Sequence, residues 1–248
     1  MRLAVIADVH ANTRALRSVL DDIGAKGITQ VLNLGDSVYG PFDPAGTAVL
    51  LMQPHIQSIS GNQDRILVHP TDDSRKSSTW RFVMEKLLHE QLQWLASLPA
   101  TRKCGNVFAF HGTPSSDEEY LMEHVTKEGV FLFDSSSIQK QIDGVSAEVM
   151  VCGHTHVARS VQLDDGRLVV NPGSVGLPAY SDDLPFPHVM ESGSPHARYA
   201  ILTHDASNWS VENVALAYDW ESAAKDAEAN GRSDWAEWIR TGRSTLRR

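Results

Sequence analysis

Within the first 65 residues, short apolar runs repeatedly end on a polar residue able to hold a cation and then pass into a helical segment. Leu3-Ala4-Val5-Ile6-Ala7 leads to Asp8 and His10, Val31-Leu32-Asn33-Leu34 to Gly35-Asp36, and Gln57-Ser58-Ile59-Ser60 to Gly61-Asn62-Gln63-Asp64. Between them, Asn12 can cap a helix carrying Leu16, Val19, Leu20 and Ile23 and closed by Gly24 or Gly27, and Asp43 can cap a second that starts at Pro44. A β-α-β-α-β beginning requires parallel strands joined by helical crossovers. The polar residues then fall at the carboxyl ends of the strands, where open α/β sheets place their ligands.

The rest of the chain reads less evenly. Residues 71–98 begin with the polar stretch TDDSRKSS and continue with Trp80, Val83, Met84, Leu87, Leu88, Leu92 and Leu95 at helical spacing, which predicts one or two packing helices. A strand Val107–Phe110, a helical stretch from Asp117 to His124 and a buried strand Glu148–Cys152 follow. Beyond residue 157 the texture is that of hairpins. Ser160–Leu163 and Arg167–Asn171 flank Asp165-Gly166, a strong turn signal, and Tyr199–Thr203 pairs with Trp209–Ala215. One last helix carries Trp220, Trp235 and Trp238, and the segment from Pro178 to Pro195 reads as one long irregular loop, a common form for a functional lid.

Composition narrows the function classes. With 248 residues, 42% of them hydrophobic, the chain can bury a sizeable core. A formal net charge of −9 disfavours a nucleic-acid polymer as partner, because such binding rests on neutralising phosphates. The basic tail, with Arg240, Arg243, Arg247 and Arg248, reads as a solvated end or a binding arm. No apolar run reaches membrane-spanning length, and Asp8 and His10 interrupt what a signal peptide would continue, so the expected setting is cytoplasmic, with no membrane partner. Cys104 and Cys152 lack any metal-ribbon or disulfide spacing.

The candidate ligands extend past the opening units. Side chains two apart in extended chain point the same way, so Asp8 and His10 can reach one ion. Asp36 reads alone as a turn or helix-cap aspartate, and His111, in His-Gly-Thr-Pro, as a loop histidine. Gly153-His154-Thr155-His156 is sharper, since two imidazoles leaving a buried strand through a glycine can serve neighbouring ions. With Asn62 the set offers oxygen and nitrogen donors without thiolates, which suits Mn²⁺, Fe or Zn²⁺ over Ca²⁺ or Cu(I). Seven donors exceed one ion and suit two, and a pair roughly 3.5–4 Å apart activates water against phosphate esters.

In their order, Asp8-x-His10, Gly35-Asp36, Gly61-Asn62-x-Asp64, His111-Gly and Gly153-His154-x-His156 resemble the five signature blocks of the calcineurin-like metallophosphoesterases. DVHANTRAL, Gly40-Pro41 and Asn171-Pro172-Gly173-Ser174-Val175-Gly176 are similar to its small prokaryotic branch. The resemblance implies an α/β fold, a four-layer αββα sandwich of two mixed β-sheets flanked by helices. Residues 1–248 would form one domain, with a helical insertion near 71–98 and a loop insertion near 178–196. It implies two divalent metal ions, Mn²⁺ foremost. Asp8, His10 and His156 would hold the first, Asn62, His111 and His154 the second, and Asp36 would bridge them, while a bridging hydroxide would attack phosphorus of a small phosphate-ester substrate. Asn62, Gln63 and Asp64 form the catalytic block. The loop with Asn171, Gly173 and Ser174 reads either as phosphate donors or as a tight turn.

One position departs from the pattern. Many members read Gly-Asn-His-Asp or Gly-Asn-His-Glu in the third block, and that histidine is taken to assist the leaving group. Here it is Gln63, whose amide donates a hydrogen bond but delivers no proton near neutral pH. The change favours a phosphodiester or an activated phosphomonoester over one alternative, a protein serine/threonine or nucleotide phosphatase, and it motivates another, a catalytically weak metal-bound regulatory module. Asp64, freed of orienting a histidine, can cap Arg65–Val68, and His69, His188 and His196 are either surface histidines or replacement acids.

Overall fold

Strand β1 (Arg2–Ile6) sends alternate side chains to opposite sides and so belongs to two cores at once. Ala4 and Ile6 pack with Leu16, Val19 and Ile23 of helix α1 (Thr13–Ala25). Leu3 and Val5 meet Val107, Ala109, Val149 and Val151 across the interface between two sheets. The computed structural model describes residues 1–205 and 208–244.

After α1 come β2 (Val31–Asn33), α2 (Pro44–Leu51), β3 (Ile56–Ser58) and α3 (Asn62–Val68). Asn12 accepts the Ala15 amide and Asp43 accepts the Gly46 amide, so both helices start where their capping residues predict. Helices α4 (Ser78–Lys86) and α5 (His89–Ser97) lead to β4 (Thr101–Cys104), β5 (Val107–Phe110), β6 (Glu123–Thr126), β7 (Gly129–Leu132), α6 (Ser135–Gln141) and β8 (Val149–Val151). The remainder is β9 (Arg159–Gln162), β10 (Leu168–Asn171), β11 (Ala179–Asp182), β12 (His188–Glu191), β13 (Ala197–Asp205), β14 (Asn208–Leu216), α7 (Trp220–Ala229) and α8 (Ser233–Thr241).

Two mixed five-stranded sheets result, in the orders β14-β13-β1-β2-β3 and β4-β5-β8-β10-β9. The inner three strands of each, β1-β2-β3 and β5-β8-β10, run parallel, and antiparallel strands flank them. Helix α1 covers the outer face of the first sheet, and Ile138 and Ile142, at α6 and its C-cap, cover Phe110, Met150 and Val169 on the outer face of the second. The fold is therefore the expected sandwich of helices, two mixed sheets and helices. All six parallel strands deliver their carboxyl ends to one edge of the sheet interface.

Three segments differ from the sequence reading. The stretch Asp117–His124 holds bends and the start of β6 instead of a helix, with Leu121 and Met122 buried in the cluster with Ile138 and Ile142 just ahead of the β6–β7 hairpin. Residues 178–195 carry the hairpin β11–β12, with Pro185 and Pro187 in its connection, where a missing N–H breaks no ladder bond. The final helix is two, α7 and α8, packed through Ala223, Ala227 and Ile239 on Leu177 and Ala179. In the tail, Arg240 is tied to Glu221 and Glu228 of α7, while Arg247 and Arg248 lie outside the described residues. Among the described residues, no helix is long and apolar enough to cross a membrane.

One close approach locks the strand ends together. A Cβ on Gly176 would stand 1.8 Å from the Val9 carbonyl oxygen, and the Gly176 amide donates to the Asp8 carbonyl. Gly176→Ala is expected to lower unfolding stability by about 1–3 kcal/mol, the usual cost of overpacking, read as a lower midpoint in urea with an unchanged slope.

Candidate metal centre

The chain reverses sharply as it leaves each of three parallel strands, and the reversal falls on the candidate ligands. Asp8 (φ 54°), His10 (φ 50°), Asp36 (φ 52°), His154 (φ 70°) and His156 (φ 61°) all have left-handed backbone, and Ala11 is the one other described non-glycine residue that does. Aspartate and histidine enter this region more readily than most residues, yet five in one place is strain gathered at a site. Hydrogen bonds between loops hold it. Asp8 N donates to Gly35 O, His10 N to Asp36 O, Ala11 N to Ser37 O, and Gly153 N to His111 O.

The imidazoles are aimed from behind. His10 Nδ1 donates to Tyr39 O at 2.9 Å, His111 Nδ1 to Leu34 O at 2.8 Å and His156 Nδ1 to Leu177 O at 2.7 Å. A proton fixed on Nδ1 leaves Nε2 of each ring facing inward, as a lone pair whenever the ring is neutral. His154 is turned the other way, with Nε2 donating to Glu118 O at 3.0 Å and Nδ1 left for a ligand. Two groups form, Asp8 with His10 and His156, and Asp36 with His111 and His154, each with donor atoms within 4.8 Å of one another. Asn62 adds Oδ1 at 3.1 Å from His111 Nε2.

These donors fit a cation better than they fit each other. His10 Nε2 and His156 Nε2 stand 3.1 Å apart, both as lone pairs, and Asp8 Oδ1 is buried without a hydrogen-bond partner. Burial, then the neighbouring imidazole, pushes His10 and His154 down to about 4, so both rings are neutral donors at neutral pH. Burial opposes charge on His111 too, but Asp36 and Asp8 outweigh it and lift the ring to about 10. For Asp36, burial is outweighed by His111, which holds the carboxyl below its ordinary value. Metal binding releases such a proton and puts the cation's charge in its place.

The third block splits into separate roles. Asn62 opens α3, Gln63 N donates to Asp36 Oδ1 at 2.9 Å, and Gln63 lines the cavity above the ligands. Asp64 is fully buried, accepting from Ser37 N at 2.9 Å and Gly61 N at 3.1 Å, and burial followed by Asp36 lifts it to about 7. It braces the turns that carry Asp36 and Asn62. Gly35 and Gly61 meet beneath Asp36, where a Cβ on Gly61 would lie 2.2 Å from Asp36 Oδ1.

In the loop with Asn171, Gly173 and Ser174, most polar groups are spent inward, the arrangement of a tight turn. Asn171 Nδ2 donates to Gly153 O at 2.8 Å and Thr155 Oγ1 at 3.0 Å, and Ser174 Oγ donates to Asp8 O at 2.7 Å. The amides of Gly173, Val175 and Gly176 go to Asn171 Oδ1, Ala7 O and Asp8 O. Of the replacement acids, His69 is exposed, His196 packs on Trp220, and His188 is buried with Nε2 3.0 Å from the Tyr120 hydroxyl. None of the three lines the cavity above the ligands.

That cavity, about 290 Å³, also has walls that residue spacing did not reveal. Ser77 and Thr79 come from the start of α4, Tyr180 from β11, and Arg232, Trp235 and Trp238 from the C-terminal helices. Tyr180 lies edge-on to His156 and Trp235 edge-on to His10. Their signals in the sequence are coarse: Ser77 and Thr79 fall in the insertion near 71–98, Tyr180 in the segment 178–195, and tryptophan is dense near the end.

Residues 1–189 match the family model described as the Calcineurin-like phosphoesterase superfamily domain, and the chain belongs to this family. It is similar to the uncharacterized protein MJ0912 of Methanocaldococcus jannaschii, 27% identical over 247 residues and covering 94% of each chain. Among solved structures it is similar to a metallophosphoesterase from Sphaerobacter thermophilus, with a TM-score of 0.75, 23% identity, and 98% and 99% of the two chains covered. It is also similar to the hypothetical protein PH1004 from Pyrococcus horikoshii OT3, with a TM-score of 0.73, 19% identity and the same coverage. These two structures share the fold along nearly the whole chain, including α7 and α8.

Asn171→Ala removes two of the bonds that steady the His154–His156 turn, those to Gly153 O and Thr155 Oγ1. It is expected to weaken divalent-metal affinity by about 10- to 100-fold in competition with a chromogenic chelator, with little change in KM once metal is saturating.

Proposed function

We propose that this protein is a phosphoesterase that uses two divalent ions, Mn²⁺ first with Fe or Zn²⁺ as alternatives, to hydrolyse a small phosphodiester or an activated phosphomonoester. The observation that carries the reading is the pair of facing Asp/His groups, with inward lone pairs and an unpartnered Asp8 Oδ1, in a chain of this family. When bound, the cations supply Lewis acidity to the attacking water and the phosphoryl oxygens.

The chain's own residues do the rest. His10, His111 and His156 keep their donor tautomers through backbone carbonyls, so no ring reorients during turnover. Asp36, grouped with His111 and His154, tied to Gln63 N and within electrostatic reach of His10, is the residue we assign as the shared ligand. Gln63 can orient an ester oxygen but cannot protonate it, so the leaving group departs unaided or takes its proton from solvent. That favours esters of acidic alcohols. The same residue supports a second reading, a metal-bound regulatory module with weak catalysis.

Manganese-loaded protein is expected to hydrolyse bis-p-nitrophenyl phosphate and to lose the activity on chelation, regaining it with Mn²⁺. No activity on this ester or on p-nitrophenyl phosphate at any Mn²⁺ concentration refutes the enzyme reading. Asp36→Asn is expected to cost about 100-fold or more in kcat, since several kcal/mol of charge stabilisation depend on it. Gln63→His is expected to speed poor leaving groups such as phenyl esters by about 100-fold, while p-nitrophenyl esters change little. A regulatory module would show no turnover in either form.

A further inference from the structure

A second cavity, about 920 Å³, opens beside the metal centre and shares Asn62, His154 and Asp182 with the first. A phosphate seated on the ligands would therefore adjoin two spaces, as an ester with two organic arms requires. The larger space combines aromatic walls with acid. Tyr120 and Phe133 line it, with the His124 ring stacked on Phe133 at 4.7 Å. Glu118, Glu119, Glu123 and Asp182 line it too, and no lysine or arginine does.

The carboxylates are not all neutralised from behind. Glu118 pairs with Arg65 at 2.7 Å. Glu123, 3% exposed, gives Oε1 to Arg159 at 3.0 Å and leaves Oε2 without a partner. Among the described residues, Glu119 and Asp182 enter no ion pair. A second phosphate or a carboxylate is repelled here, and a neutral ring satisfies the aromatic faces but leaves the charge unanswered. An organic ammonium meets both, through carboxylates and through the faces of aromatic rings.

We propose that this cavity receives an ammonium-bearing arm, so that the substrate is a phosphodiester of an amino alcohol. This rests on the phosphodiesterase reading above. The ammonium contributes binding rather than chemistry, so its effect falls on KM more than on kcat.

The test compares p-nitrophenyl phosphorylcholine with its isostere bearing an uncharged arm, p-nitrophenyl 3,3-dimethylbutyl phosphate, on the manganese-loaded full chain. The cationic ester is expected to have about tenfold higher kcat/KM, and the preference is expected to collapse to near parity in the Glu119→Gln, Asp182→Asn double variant. Equal rates on the two esters, with bis-p-nitrophenyl phosphate still hydrolysed, overturn this proposal and leave the enzyme reading standing. A preference for thymidine 5′-p-nitrophenyl phosphate that ignores the double variant also overturns it, in favour of a nucleoside arm. If no ester is hydrolysed, binding of choline against 3,3-dimethylbutan-1-ol to the metal-free chain, followed by ligand-observed NMR, decides the cavity separately. Choline-selective binding lost in the double variant supports it, and equal or absent binding refutes it.

Discussion

Four imidazoles and two carboxylates converge with lone pairs and charges facing one another, and much of the molecule serves to hold them there. Left to themselves these groups separate, because His10 and His156 offer each other only lone pairs and Asp8 Oδ1 has no donor. The chain opposes that separation with left-handed backbone at five ligands, which costs on the order of 1 kcal/mol or more at each, and with sheet interior packed tightly behind them. Such an arrangement persists only where its surroundings over-determine it. Gly35 against Gly61 and Gly176 against Val9 are contacts of that kind, each too close for a side chain.

The same constraint explains the residues that never touch the cavity. Asp64 ties the turn after β2 to the start of α3, Asn171 ties β10 to the His154–His156 turn, and Ser174 ties the next loop to Asp8. Each spends its polar groups on backbone next to a ligand. Polar residues of this sort look like substrate contacts in a sequence, because hydrogen-bonding capacity is visible there and its direction is not. Within the third block, position 63 is where the site's chemistry departs from the family's common pattern. An amide there can donate a hydrogen bond but delivers no proton near neutral pH.

Specificity is built from other material. The walls on the two sides of the centre come from α4, the β11–β12 hairpin, the turns before β6 and the C-terminal helices, none of which carries a ligand. Ligands sit on strand ends held by two sheets, whereas walls sit on elements packed from outside. The centre and its selectivity can therefore vary separately, as in other folds where loops and added elements surround a rigid frame.

The order of strands and helices through β3, the caps at Asn12 and Asp43, the hairpin at Asp165-Gly166 and all seven candidate ligands were legible in the sequence, because each depends on local chemistry: periodicity, a capping side chain, a turn dipeptide, or a donor placed just after a strand. The β11–β12 and β6–β7 hairpins were not, since prolines interrupt the first and the strands Glu123–Thr126 and Gly129–Leu132 of the second show no apolar alternation. Nor were the left-handed turns at the ligands, the inward use of Asn171 and Ser174, or the approach of Trp235 to His10 across more than two hundred residues. Those depend on which surfaces meet when two sheets pack face to face. The sequence by itself determined which residues can bind a cation and that they follow the strands; only the tertiary structure decided which atom each ring offers, which polar residues merely brace them, and what walls the cavities around them.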